Sequence, residues 1–180
     1  MQNIIVGMGE ILWDILPSGK VIGGAPANFA FHAQELGENS AVVSCVGNDE
    51  LGQEIISNLE KINISTEFLF VDNNHPTGVV FAKINKAGKP SYIIKEDVAW
   101  DYIPTSKLLS ELASKSTAVC FGTAAQRSEL SRMTIQKFLG LMKQETIRVF
   151  DINLRQNFYS KDTIKTSLSL ANVLKLNMYE

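Results

Sequence analysis

A chain of 180 residues, 45% hydrophobic and 20% charged, has the composition of one domain able to bury a sizeable core. Its net charge of −2, with the 17 basic residues scattered, gives no electrostatic reason to expect nucleic acid or an anionic membrane as partner and points to a small molecule. Cys45 and Cys120 each lie in an apolar, strand-like run and read as buried, reduced thiols rather than a disulfide or a metal site, which suits a reducing cytoplasm.

Residues 3–9 form a short apolar run rich in Ile and Val that predicts a buried strand. The run Ile4-Ile5-Val6 is too short for a signal segment, and no stretch approaches the ~20 residues of a membrane span. Gly7-Met8-Gly9 does not open a dinucleotide fingerprint, because Leu12 stands where the third glycine belongs and an extended stretch follows instead of a helix. Asp14, between Trp13 and Ile15, is either solvated on an edge strand or aimed at a ligand. In Gly23-Gly24-Ala25-Pro26-Ala27-Asn28 the paired glycines permit a tight turn and a close backbone approach, and Pro26 suits the first turn of a helix. The bare N–H groups of such a helix end favour oxygen-rich ligands, and Asn28 adds a donor and an acceptor for a hydroxyl pair. A loop that merely turns strand into helix is the alternative.

Helical spacing spans residues 25–36 and stops at Gly37; residues 40–46 then read as a strand. Asn48 or Asp49 can cap the next helix, whose Leu51, Ile55, Leu59 and Ile62 share a face. This alternation is that of parallel crossover units. His32 and His75 have no second imidazole or thiol at ligand spacing and read as structural or solvated. From residue 68 to 94, three short runs of β-formers separated by Asn73-Asn74-His75-Pro76 and Lys86-Ala87-Gly88-Lys89-Pro90 predict an antiparallel meander inserted in the α/β pattern. The pattern resumes with a strand at 117–121, Ser128 as N-cap, and a helix with Leu130, Thr134, Phe138 and Leu141 on one face. Residues 147–152 form a strand whose C-terminal end carries Asp151-Ile152-Asn153-Leu154-Arg155, where open parallel sheets bind ligands. Arg155 could fork onto a phosphate with Asn153 and Asp151 holding it, or Asp151 and Arg155 could form a strand-end ion pair. A helix at 161–170 and a strand at 173–176 follow.

Gly9-Glu10, Asp14, Gly23-Gly24-Ala25-Pro26-Ala27-Asn28-Phe29-Ala30, Leu36-Gly37, Val46-Gly47-Asn48-Asp49 and Leu51-Gly52, in this order, resemble the N-terminal half of a PfkB (ribokinase-type) sugar kinase. The wording of residues 10–30, the Ala125-Gln126-Arg127 step and residues 151–159 are most similar to fructokinases. The resemblance implies a ribokinase-like α/β sandwich over 1–180, with a small antiparallel β lid built from segments near 11–22 and 68–100 that often packs against the lid of a second subunit, giving a homodimer. It implies ATP-dependent phosphorylation of a sugar hydroxyl, with fructose the first candidate, in the cytoplasm. Asp14, Gly23, Gly24 and Asn28 would bind the sugar, and Asn153 and Arg155 would face the phosphates. Asn177-Met178-Tyr179-Glu180 matches the family's Asn-x-x-Glu motif, whose Asn177 and Glu180 would influence magnesium through water.

The family's Gly-Ala-Gly-Asp run, which supplies the catalytic base and holds the transferred phosphoryl, has no counterpart here, since all twelve glycines fall at or before Gly140. The sequence thus predicts a truncated sugar-binding half, inactive by itself, with an unpaired parallel edge that invites aggregation. A non-catalytic protein that keeps a sugar site and lid for sensing is the alternative.

Overall fold

The computed structural model describes residues 3–84 and 90–180; the predicted turn at Lys86-Ala87-Gly88-Lys89 lies outside them. The first strand, β1 (Ile4–Met8), is fully buried from Val6 onward and becomes the centre of the large sheet. Strands β2 (Leu12–Leu16) and β3 (Gly19–Gly23) form a hairpin, and α1 (Ala25–Glu35) leaves directly from it. Then come β4 (Ser40–Gly47), α2 (Glu50–Lys61), β5 (Leu69–Asp72), β6 (Val79–Ile84) and β7 (Pro90–Ile94). A 3-10 turn, Ala99–Tyr102, leads into α3 (Lys107–Lys115) and β8 (Ser116–Gly122). The remaining elements are α4 (Glu129–Leu141), β9 (Ile147–Asp151), α5 (Lys161–Leu170) and β10 (Val173–Lys175).

Six strands pair in the order β10-β9-β8-β1-β4-β5, every neighbour parallel. Helices cover such a sheet, which is why β4 is buried along its whole length and reads as a mainly apolar run broken only by small serines. Phe121 and Phe150 are register partners on β8 and β9, and their rings stack at 5.3 Å between centroids. On α2, Ile55 and Leu59 are buried and Leu51 and Ile62 pack against the same cluster, as the spacing predicts. On α4 the buried face is Ser131, Thr134, Ile135, Phe138 and Leu139, while Leu130 and Leu141 are exposed. The predicted face is therefore rotated. Thr134 and Phe138 point inward as predicted, but Ser131 turns in to give its hydroxyl to Trp100 O, with Ile135 and Leu139 beside it, so Leu130 and Leu141 face out.

A second sheet, ordered β3-β2-β6-β7, stands beside the first. It differs from the predicted meander in two ways. The first run, β5, pairs in parallel with β4 in the large sheet, where Phe68 and Leu69 are buried. The small sheet is mixed rather than antiparallel, because β6 lies parallel to β2 while the β2–β3 and β6–β7 pairs are antiparallel. Short β-runs separated by turns carry no signal of which edge they join; the exposed edge of β4 takes the first of them.

The root of the small sheet is tied to the body through Asp49. Its Oδ1 caps α2 by accepting from Gly52 N at 2.8 Å and also accepts the Thr77 hydroxyl at 2.6 Å, while its Oδ2 accepts from Thr77 N at 2.8 Å. Thr77 Oγ1 in turn accepts from Gly47 N at 2.9 Å. Burial pushes the Asp49 carboxyl up, but the Thr77 and Gly52 donors outweigh it and hold it below the usual range. Nearby, the His75 ring stacks on Tyr102 at 3.6 Å and its Nδ1 meets Asp72 at 2.8 Å. Both cysteines are buried and unbonded to each other. Among the described residues no helix is long and apolar enough to cross a membrane.

Candidate active site

The chain runs outward from β1 on one side through β4 and β5, and on the other through β8, β9 and β10. The carboxyl ends of strands around such a reversal open a crevice, and here the small sheet forms its other wall. The resulting cleft has a volume of about 540 Å³. It brings together Asp14, Gly24 and Asn28 from the β2–β3–α1 side with Asn153 and Arg155 from the end of β9. That is five of the eight residues singled out in sequence.

Gly23 acts one step back from the cleft. A Cβ there would run into the Asp14 carboxylate, so the bare Cα leaves room for that side chain beside the backbone. Gly24 sits at φ 110°, a conformation side-chain-bearing residues rarely adopt, and a Cβ would strike the Glu10 carbonyl oxygen. Gly24 is also the N-cap of α1; it offers no side-chain cap, Pro26 follows, and Asn28 N bonds back to Gly24 O at 2.9 Å. In that first turn Pro26 has no N–H and the Ala25 N–H is turned to the Glu10 carboxyl, so the helix end acts on a ligand in the cleft mainly through its dipole. Burial raises the Asp14 carboxyl above its ordinary value.

On the opposite wall Asp151 is buried and accepts both bonds from Lys175 Nζ, at 3.0 and 2.9 Å. The strand-end ion pair is therefore Asp151–Lys175, not Asp151–Arg155, because β10 lies parallel to β9 with Lys175 as the register partner of Asp151. Asp151 accordingly does not hold Arg155. Asn153 adopts φ 36°, turning the chain sharply after β9, and Arg155 is exposed with Nη1 on its neighbour's carbonyl, Leu154 O, at 3.0 Å. Its guanidinium keeps donors for an anion.

Asn177 and Glu180 do not line the cleft. Glu180 accepts from Leu154 N at 3.1 Å and from Asn177 N at 3.0 Å, with Arg155 Nη1 at 3.9 Å. Asn177 Oδ1 accepts from Tyr179 N at 2.8 Å. Glu180 thus clamps the Asn153–Arg155 turn against the last turn of the chain. Among the described residues no three His, Cys, Asp or Glu side chains gather as a direct metal site.

Four further side chains shape the site without having been assigned to it from sequence. Glu10 and Trp100 line the cleft, Lys175 holds Asp151, and Arg127 lies behind. Arg127 forks onto Asp101 with Nε–Oδ1 and Nη2–Oδ2 both at 2.7 Å, and its guanidinium lies 3.9 Å from the Trp100 ring centroid and 4.4 Å from that of Phe158. Glu10 is only 4% exposed, and desolvation pushes its carboxyl up to about 7. Hydrogen bonds from its own N–H and that of Ala25 oppose this, Asp151 adds to it, and Arg127 opposes it. The available signals were a lone carboxylate between Gly9 and an apolar run, and a lone lysine in the last strand.

The family model of the pfkB family carbohydrate kinases matches residues 18–180. The chain is 30% identical to a protein described as a sugar kinase from Pyrococcus horikoshii, an alignment covering 99% of this chain and 64% of that one. It is 26% identical to fructokinase-2 of Solanum lycopersicum, over 99% of this chain and 60% of the relative. The crystal structure of the Pyrococcus horikoshii sugar kinase superposes with a TM-score of 0.83 over 96% of this chain and 62% of that one; a further structure of it, with a TM-score of 0.81, holds ATP. Fructokinase from Vibrio cholerae O395, solved with fructose, ADP and calcium, shares the fold at a TM-score of 0.78 and 23% identity, over 96% of this chain and 59% of that one. The chain therefore spans about 60% of the length of the relatives it matches. With the parallel sheet, the lid-like second sheet and the cleft between them, these matches show that the chain belongs to the pfkB family of carbohydrate kinases.

Proposed function

We propose that this chain is the sugar-binding part of an ATP-dependent kinase that phosphorylates a sugar hydroxyl, with fructose as the preferred substrate. The observation that carries this reading is the cleft that faces Asp14, Gly24 and Asn28 across to Asn153 and Arg155. Asp14 would accept sugar hydroxyls, with Gly23 giving its carboxylate room, while the Asn28 side chain would take others. Asn153 and the forked donors of Arg155 would face phosphate oxygens of ATP. Asn177 and Glu180 would act on magnesium through water, Glu180 by fixing the turn that presents Arg155. ATP supplies the phosphoryl group when bound, and the residues of this chain position the acceptor. By itself the chain is expected to bind sugar and release no ADP.

The small sheet would serve as the lid. Val21 and Tyr92 line the cleft yet are 56% and 55% exposed, which suits a face covered by a second subunit's lid in a cytoplasmic homodimer. Light scattering on the purified chain tests this, since a strictly monomeric protein would refute it.

A sugar-binding protein without catalysis is the second reading. It is favoured by Glu180, whose two oxygens are both taken by backbone N–H groups. Calorimetric titration with fructose and with ribose, each with and without ATP and magnesium, separates the readings. Fructose binding stronger than ribose binding, and changed by the nucleotide, supports the kinase part. Sugar binding indifferent to nucleotide supports the second, and no sugar binding overturns both.

A further inference from the structure

Two buried polar atoms in the wall of the cleft have no protein partner: Glu10 Oε2 and Trp100 Nε1. Buried polar atoms are almost always paired, so an acceptor and a donor left open in one cleft wall require an explanation. Neither is short of neighbours. Glu10 follows β1 and Trp100 lies in the 3-10 turn, both among the most buried residues of the molecule, at 4% and 0% exposure. Most donors around Glu10 are committed elsewhere, the exception being Arg127 Nη1, which is itself buried without a partner. Arg127, the cation that acts on it, gives Nε and Nη2 to Asp101 and a further bond from Nη2 to Lys95 O at 2.7 Å. Lys175 gives its bonds to Asp151. Gly78 packs its bare Cα close against the indole nitrogen, since a Cβ there would collide with Trp100 Nε1.

We infer that Glu10 is a specificity-determining acceptor for a hydroxyl of the ligand, with the Trp100 indole N–H as a donor in the same cleft. The inference rests on the sugar-site reading above and adds to it a contact from the floor of the cleft. A hydroxyl is the group that fits, because it can donate to a carboxylate and accept from an indole. An anionic ligand group is disfavoured here by Glu10 and by Asp151 nearby. The ionised carboxylate is the stronger acceptor, and Glu10 changes charge near neutrality. Sugar affinity should therefore rise with pH through that region. The other groups facing Glu10 or the cleft are Asp151, Arg127, Lys175, Asp14 and Arg155. A Glu10→Gln variant isolates its share from theirs.

The experiment is calorimetric titration of the whole chain with fructose at pH 6 and pH 8, for wild type, Glu10→Gln and Trp100→Phe. Wild type should bind about tenfold more tightly at pH 8, the worth of turning a neutral hydrogen bond into a charge-assisted one. Glu10→Gln should be about tenfold weaker than wild type at pH 8 with that pH dependence gone, and Trp100→Phe should be weaker at both pH values with it retained. Equal affinity and equal pH dependence in wild type and Glu10→Gln would overturn the inference and leave the sugar site standing. Absence of fructose binding by wild type at both pH values would overturn the site and the inference together. Carbon-13 detection of glutamate carboxyls in the wild-type protein needs no variant. The resonance titrating near 7 should move to lower pH when fructose is added, and an unmoved midpoint would also overturn the inference.

Discussion

Replacing Glu10 by glutamine should make the protein more stable at pH 8 and leave it nearly unchanged at pH 4. In the folded protein desolvation pushes the Glu10 carboxyl up to about 7, against an ordinary value of 4.5. A group whose pKa is raised by folding binds its proton more tightly in the native state, so its contribution is fully present below 4.5 and is lost as pH rises through about 7. At ~1.4 kcal/mol for each pH unit, the cost of ionising Glu10 in place grows to about 3 kcal/mol above pH 8. Glutamine keeps the shape and never ionises. Urea unfolding of both proteins at half-unit steps from pH 4 to pH 8.5 gives the difference directly, and other carboxyls, including Asp14 and Asp49, cancel in it. The stability gap should open between pH 4.5 and 7 and stay level beyond. Parallel profiles would refute the reasoning, because they would mean that Glu10 reaches water or a cation in solution.

Three further outcomes follow from the same coordinates. Arg127→Lys keeps the charge but loses the fork on Asp101 and the stacking between Trp100 and Phe158; a loss of about 1–3 kcal/mol is expected, read from the urea midpoint. Gly24→Ala places a Cβ at φ 110° against the Glu10 carbonyl and should cost about 1–3 kcal/mol in thermal unfolding while weakening fructose binding. Burial pushes the Cys45 and Cys120 thiols up to about 12, aided by Asp72 and Asp151 respectively, so neither should react with a disulfide reagent at pH 8 until guanidinium unfolds the chain.

Much of the architecture was legible because local pattern and tertiary environment agree. The apolar runs that became β1, β4 and β8 are largely buried on both faces, and α2 shows a clean face because its core contacts are apolar. The α4 face was only half right: Thr134 and Phe138 point inward as expected, but Ser131 turns in to reach the Trp100 carbonyl and takes the place of Leu130, which no hydrophobic period reveals. The fate of β5 depended on which sheet edge was open, a fact that lies in β4 rather than in residues 68–72. Of the residues that line the cleft, turn chemistry and strand ends mark Gly24, Asn28, Asn153 and Arg155, whereas Asp14 stands out only through the family resemblance. Lys175 and Trp100 could not, since their roles arise from register with β9 and from the passage of the 3-10 turn behind the cleft.

The bonds of Asp49 join two things that chain order keeps apart, the first turn of α2 and the strand that enters the small sheet at Thr77. One carboxylate thus works as a shared hinge pin. Its depressed pKa keeps that pin charged at neutral pH, and the stability it lends is lost only as acid protonates it in the folded state. Loosening the helix end and loosening the entry to the small sheet at Thr77 are then one event, so a perturbation at the start of α2 would register in that sheet.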